Sequence, residues 1–273
     1  MSTRIRRYGA TILMFFTLGF SGGVLAKKHE ITANHKPHAT AVDGSKQVAS
    51  SKQEYSRNSA SSSLPDLRKY PSGAARKRAF LRTVMPYIDR QNKVILVDRN
   101  WLISKQYNNR WTPEERARLK DIASRYKVTW HGNTNRVPWD TLLERVDIIP
   151  SNMVATMAAA ESGWGTSKVA RSNNNLFGMK CGGGSCTREG GKVKGYSRYE
   201  SVDESVQAYV RNLNTHPAYA SFRISRAQLR KADQELTAAN MIHKLDGYST
   251  KGHSYNQYLF AMFQNNRHLL TAY

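Results

Sequence analysis

The residue of this chain whose type and setting point to acid catalysis is Glu161. Between Ile149 and Lys180 the chain reads IPSNMVATMAAAESGWGTSKVARSNNNLFGMK. Pro150 and Ser151 supply a helix start and Gly163 a stop. Val154, Met157, Ala158 and Glu161 recur at helical spacing, so the acid shares a face with apolar residues. Desolvation disfavours an ionised carboxylate there, and so does the negative end of the helix dipole. Both favour the protonated form that a general acid needs. The competing reading is an ordinary glutamate fraying into water at a helix end. The residues on the C-terminal side of Glu161 bear on the choice. Gly163 and Gly165 bracket Trp164, so the backbone turns tightly and the indole stays beside the acid. Asn173, Asn174 and Asn175 then offer amide donors and acceptors that suit sugar hydroxyls and acetamides, while Trp164 and Phe177 offer flat faces for sugar C–H surfaces. The competing reading of each asparagine is a turn residue tolerating left-handed backbone.

These residues need elements to hold them, and the chain supplies mostly helices. Phe80, Leu81, Val84, Tyr87, Ile88, Ile95, Leu96, Trp101 and Leu102 predict one or two amphipathic helices, with a kink at Pro86. Thr112-Pro113-Glu114-Glu115 is a helix start with a capping box, running to about Tyr126. Pro138 opens a short helix through Leu142, Leu143 and Val146. Cys181 to Tyr199 reads CGGGSCTREGGKVKGYSRY, glycine clusters between short alternating runs, which predicts one or two β-hairpins with Glu189 near a tip. Ser201 caps a helix to Leu213 with Glu204 as its capping-box partner. His216 to Ala220 is a turn presenting Tyr219. A helix is predicted over Gln228–Leu245, then a turn at Asp246–Thr250 carrying Tyr248. A last amphipathic helix contains Tyr255, Tyr258, Leu259, Met262 and Phe263.

Composition narrows the surroundings. The chain has 273 residues, 40% of them hydrophobic, with 42 Lys plus Arg against 20 acids and a formal charge of +22. Such a balance implies a polyanionic partner: nucleic acid, anionic lipid or an anionic wall polymer. Arg4, Arg6 and Arg7 precede an apolar run from Ile12 to Phe20, and small residues continue up to Ala26. That pattern predicts a secretory signal over residues 1–26, cleaved after Ala26, with a retained N-terminal anchor as the alternative. Residues 27–63 are polar, rich in Ser, Lys and Ala, and predict a disordered tether. A helical region over 64–136 and a catalytic region over 137–273 complete the expected organisation. Export favours the periplasm or cell envelope and argues against nucleic acid. In that setting the close pair Cys181 and Cys186 is expected to form a disulfide, with a metal site as the alternative. The sequence has no HExxH, P-loop, GxSxG or GxGxxG motif, so no metal and no cofactor are expected.

The motifs AAAESGWGTS, NNNLFGMK, the glycine-rich hairpin, HPAYASF and DGYSTKGHSYNQYL occur in an order that resembles the glucosaminidase domain of glycoside hydrolase family 73, over roughly Val137 to Leu270. The resemblance implies a mainly α (α+β) fold: a lysozyme-like helical domain with a small β-hairpin lobe, here preceded by the helical N-terminal region. It implies an endo-β-N-acetylglucosaminidase acting on peptidoglycan glycan strands, at the β-1,4 bond between N-acetylglucosamine and N-acetylmuramic acid. Glu161 matches the family's acid, Tyr219 and Tyr248 match cleft residues, and Trp164, Asn175, Phe177, Tyr196 and Tyr199 are implied substrate contacts. Glu189 is the candidate second carboxylate; a substrate-assisted route, in which the sugar's own acetamide attacks, is the alternative. Rival functions are a muramidase or lytic transglycosylase, and a non-catalytic wall-binding or scaffold protein.

Overall fold

The computed structural model describes residues 63–108, 110–181, 195–245 and 253–273. The expected signal and tether, Cys186, Glu189 and Tyr248 lie outside the described residues. Among the described residues there are nine helices: α1 (Ala74–Gln106), α2 (Pro113–Arg125), α3 (Trp139–Arg145), α4 (Ser151–Ser162), α5 (Lys168–Asn173), α6 (Val202–Thr215), α7 (Ala220–Lys231), α8 (Ala238–Met241) and α9 (His253–Leu270). The mainly helical class expected from the sequence holds.

Most helices begin where the sequence says they should. Thr112 Oγ1 accepts from Glu115 N (3.2 Å) and Glu115 Oε2 accepts from Thr112 N (3.0 Å), a complete capping box. At α6 the box is altered. Ser201 Oγ accepts from Glu204 N (3.1 Å), but Glu204 reaches past the cap to Glu200 N (2.7 Å). The run around Pro86 forms a single helix, α1, with Pro86 inside it. Pro86 and Arg82 are both exposed, so the Arg82 carbonyl that loses its partner faces water, where the loss costs least.

One expectation is corrected. The helix predicted over Gln228–Leu245 is broken, and its first part begins earlier, at Ala220. Asp233 adopts φ 51°, a left-handed turn that ends α7, and Thr237 starts α8 with its own box, accepting from Asn240 N (3.2 Å) and donating N–H to Asn240 Oδ1 (2.9 Å). Apolar periodicity continues across this break, which is why spacing alone predicts one helix. The apolar helix expected ahead of Gly163 is α4. Met153 through Ala159 are all buried, so it is a core helix. The hairpin predicted over 181–199 falls mostly on residues 182–194, which are not described; the described part is one antiparallel bridge, Lys180 to Tyr196.

α4 is buried because it is covered from several sides. α1 packs on it and on α6, and α9 packs on it from the other end of the sequence. One contiguous apolar core therefore runs from Leu64 and Leu67 through α1 and α4 to Leu269 and Leu270. The segment that feeds α4 is anchored by charge. Asp147, 1% exposed, takes Arg230 through two bonds (2.9 and 3.1 Å) and lies 3.4 Å from Arg99. Arg226, equally buried, donates to the carbonyls of Glu144 (2.7 Å) and Ile148 (3.1 Å) and to Asn214 Oδ1 (2.8 Å). Burial pulls its guanidinium down to about 10, partly offset by the Asp147 charge.

The end of α4 is where the N-terminal region comes closest. Gly163 and Trp164 both sit in left-handed backbone (φ 58° and 56°). Gly165 comes next at φ 78°, and a Cβ built on it would lie 2.6 Å from Leu67 Cδ1 and 3.1 Å from Phe80 Cδ2. Gly165→Ala therefore combines backbone strain with overpacking, a loss of about 1–3 kcal/mol. For a chain of this size that lowers the melting midpoint by roughly 2–10 °C. Thermal unfolding followed by circular dichroism checks this, and an unchanged midpoint would disprove the tight contact.

Candidate active site

Glu161 stands in the last turn of α4, half-buried, immediately before the left-handed cap at Gly163. The turn is stitched by its own groups. Ser162 Oγ donates to Ala158 O (2.6 Å) and accepts from Gly165 N (2.8 Å), and Ser167 N donates to Ser162 O (2.9 Å). These bonds occupy carbonyls and amides that a helix end otherwise leaves open. They also set the direction in which the carboxylate leaves the helix.

Two neighbours meet that carboxylate. Tyr255, near the start of α9, donates its hydroxyl to Glu161 Oε1. On the other side is the loop after α5, where a Cβ added to Gly178 would lie 3.7 Å from Glu161 Oε2. Gly178 sits at φ 60°, so the missing side chain allows both the turn and the close approach. Helix α9 thus engages one carboxylate oxygen, and the Gly178 backbone borders the other.

The asparagine run positions this loop. Asn175 is buried, donates to Met179 O (2.8 Å) and Ser197 O (3.0 Å), and accepts from Met179 N (3.0 Å). Asn174 adopts left-handed backbone, accepts from Leu64 N (2.9 Å) and donates to the carbonyls of Tyr199 (3.1 Å) and Glu200 (3.2 Å). Asn173 lies buried beneath the carbonyls of Tyr196 and Ser197. Of the three, Asn174 takes the left-handed turn, and the side-chain amide nitrogens of all three donate to main-chain carbonyls.

The aromatic candidates divide. Phe177 is buried and stacks on Tyr209 (3.8 Å, 2° between planes), whose hydroxyl donates to Met157 Sδ (3.0 Å). Trp164 meets the Phe80 edge at 5.6 Å and carries the Lys77 ammonium over its ring at 5.1 Å. Its ring thus holds α1 against the turn. Tyr199 is buried, with its hydroxyl on Met179 Sδ (3.3 Å); burial raises its phenol. Tyr196 is half-buried at the bridge to Lys180. Tyr219 lies in a single 3₁₀ turn, Pro217–Tyr219, with the His216 ring 5.8 Å away. Burial raises its phenol too, opposed by a bond with Asn212. At the start of α6, Asp203 pairs with Arg90 (2.8 Å) and Glu204 serves the cap. Among the described residues no group of three or more His, Cys, Asp or Glu is placed to hold a metal ion.

The family model for mannosyl-glycoprotein endo-beta-N-acetylglucosaminidase matches residues 138–268. Protein bax of Escherichia coli (strain K12) is 73% identical over 272 residues, which cover 99% of this chain and 98% of that protein. The chain belongs to the Bax family, with a glucosaminidase domain at residues 138–268. The catalytic domain of the autolysin Auto from Listeria monocytogenes aligns with 59% of this chain and 93% of its own, at 19% identity and a TM-score of 0.31.

Within this glucosaminidase domain, sequence reasoning misses Tyr255 as a site residue. Spacing places it only on the apolar face of the last helix. The available signal is its place in DGYSTKGHSYNQYL, a polar motif opening an otherwise apolar helix. Tyr255→Phe keeps the ring and removes the donor. A hydrogen bond of this kind is worth about 0.5–1.5 kcal/mol net, so glycoside turnover is expected to fall about twofold to tenfold with the fold intact. Steady-state kinetics beside a thermal melt checks this; parent-like turnover would show the bond to be incidental.

Proposed function

We propose that this chain is an exported peptidoglycan hydrolase that cleaves the β-1,4 bond between N-acetylglucosamine and N-acetylmuramic acid. The observation that carries the reading is Glu161. It lies in the glucosaminidase domain, half-buried, with Tyr255 on one oxygen and the side-chain-free Gly178 beside the other. The charge of +22 suits an anionic wall, and residues 1–26 have the pattern of a secretory signal.

In this mechanism Glu161 protonates the glycosidic oxygen as the bond breaks, and Tyr255 fixes the rotamer from which it does so. The oxocarbenium-like centre that develops on the sugar is met from the opposite face by Glu189 or by the substrate's acetamide; water, giving its proton to the Glu161 carboxylate, then displaces that group and leaves the new reducing end. Export also makes a Cys181–Cys186 disulfide the expected state of the only cysteine pair.

Digestion of purified sacculi with mass analysis of the products tests the reading. Reducing N-acetylglucosamine ends are expected. Anhydromuramic ends would make the protein a lytic transglycosylase instead, and reducing muramic ends a muramidase. Glu161→Gln should lower turnover by at least about a hundredfold while sacculus binding is retained; unchanged solubilisation would remove Glu161 from the mechanism. Glu189→Gln separates the two routes, since activity is retained only if the acetamide attacks. For export, cell fractionation should place the mature chain in the envelope, beginning near Lys27; a cytoplasmic full-length chain would overturn it.

A further inference from the structure

A second site lies where α1 and α2 meet α6, and none of its lining residues belongs to the Glu161 site. It is a pocket of about 140 Å³ whose walls include Tyr126, Arg211, Gln91, Val94, Ile95 and Val210. A cavity of about 150 Å³ accommodates a benzene-sized molecule, so this one fits a group of a few heavy atoms.

Its polar groups are open. Tyr126 is 7% exposed, yet its hydroxyl has no hydrogen-bond partner among the described residues. The phenol opens into the pocket, where it can donate to an acceptor. The Arg211 guanidinium and the Gln91 carboxamide also lack side-chain partners among the described residues, and both line the same pocket. Arg125 completes the wall, its charge shared with Asp98 (2.8 Å) and Asp121 (2.9 Å). Asp98, whose charge also reaches the phenol, is taken up by Arg125 and by Arg118 at 3.6 Å. Arg211 brings a positive charge to the pocket wall, beside a phenol and the amides of Gln91, Gln207 and Asn214. Val94, Ile95 and Val210 are its aliphatic part.

That combination selects a planar anion carrying a small apolar group. Guanidinium matches a carboxylate through two parallel bonds, and the phenol can donate to a second lone pair. A tetrahedral phosphate or sulfate would fill the donors and leave the aliphatic part empty. We infer that this pocket binds a terminal carboxylate on a methyl-bearing stem, an alanine-sized C-terminus. The ligand bridges the N-terminal helices α1 and α2 to helix α6 of the glucosaminidase domain. The same chemistry is offered by a free amino-acid derivative and by the carboxyl ends of wall peptides; only the second source rests on the proposed function.

Titration of the full-length chain with N-acetyl-alanine, of either hand, against the neutral N-acetyl-alanine amide tests the site by calorimetry or by NMR. The acid is expected to saturate the protein at least about tenfold more tightly than the amide. Arg211→Gln and Tyr126→Phe should each weaken the acid about tenfold or more and leave the amide unchanged. Arg211 is exposed and Phe keeps the Tyr126 ring, so both variants should melt as the parent does. Equal binding of acid and amide, no saturable binding of either, or variants that bind the acid like the parent would overturn the proposal. Glu161→Gln should titrate like the parent, which separates this site from the hydrolase reading. Sedimentation with sacculi that keep or lack their peptides then assigns the source. If Arg211→Gln weakens binding only where peptides are present, the ligand is the wall peptide; if it changes neither, the ligand is the free acid.

Discussion

The constraint on which the rest depends is the burial of α4 from Met153 to Ala159. A helix whose middle has no solvent face must be covered on all sides, and this chain covers it with elements from both ends of the sequence, α1 and α9. Burial stops where Gly163 turns left-handed, and Glu161 is placed just before that limit. The acid is therefore anchored by a rigid core helix but emerges at its edge. A carboxylate deeper along the helix would be sealed by apolar neighbours. One beyond Gly163 would ride on a turn. The buried Asp147 and its arginines fix the other end of the same unit, just before Pro150. Between these two anchors the helix has little freedom to slide or rotate.

The loop from Asn173 to Met179 repeats the logic in polar form. It has little apolar surface of its own facing inward beyond Leu176 and Phe177. Amide-to-backbone bonds do what packing does elsewhere, and they bind the loop to Ser197, Tyr199 and Glu200 as well as to Leu64. Gly178 can then approach Glu161 because its neighbours are fixed and because it has no side chain.

Much of this is legible locally. The Thr112 box, the stop at Gly163 and the start at Ser201 depend on residues within four positions of one another, and sequence shows them directly. The position of Glu161 is legible because an acid at the end of an apolar helix is a local anomaly. The partner of Glu161 is not: Tyr255 is 94 residues away, and only the packing of α9 on α4 brings it close. The roles of Trp164 and Phe177 are hidden for a related reason. An aromatic side chain offers the same face to a sugar and to the protein's own core, and spacing does not say which is nearer. The break after α7 is hidden because Asp233 in left-handed backbone is a single-residue event inside a continuing apolar pattern.

The Leu64–Asn174 bond, with Phe80 and Leu67 pressed on Gly165, bears on what counts as a module here. The family match begins at residue 138, but the turn that presents the acid is finished by residues 64 to 80. A fragment cut at the boundary of the match would bare the Trp164 edge, open the space beside Gly165 and leave the Asn174 oxygen without its donor. The residues that complete this turn thus lie outside the stretch that the family model matches.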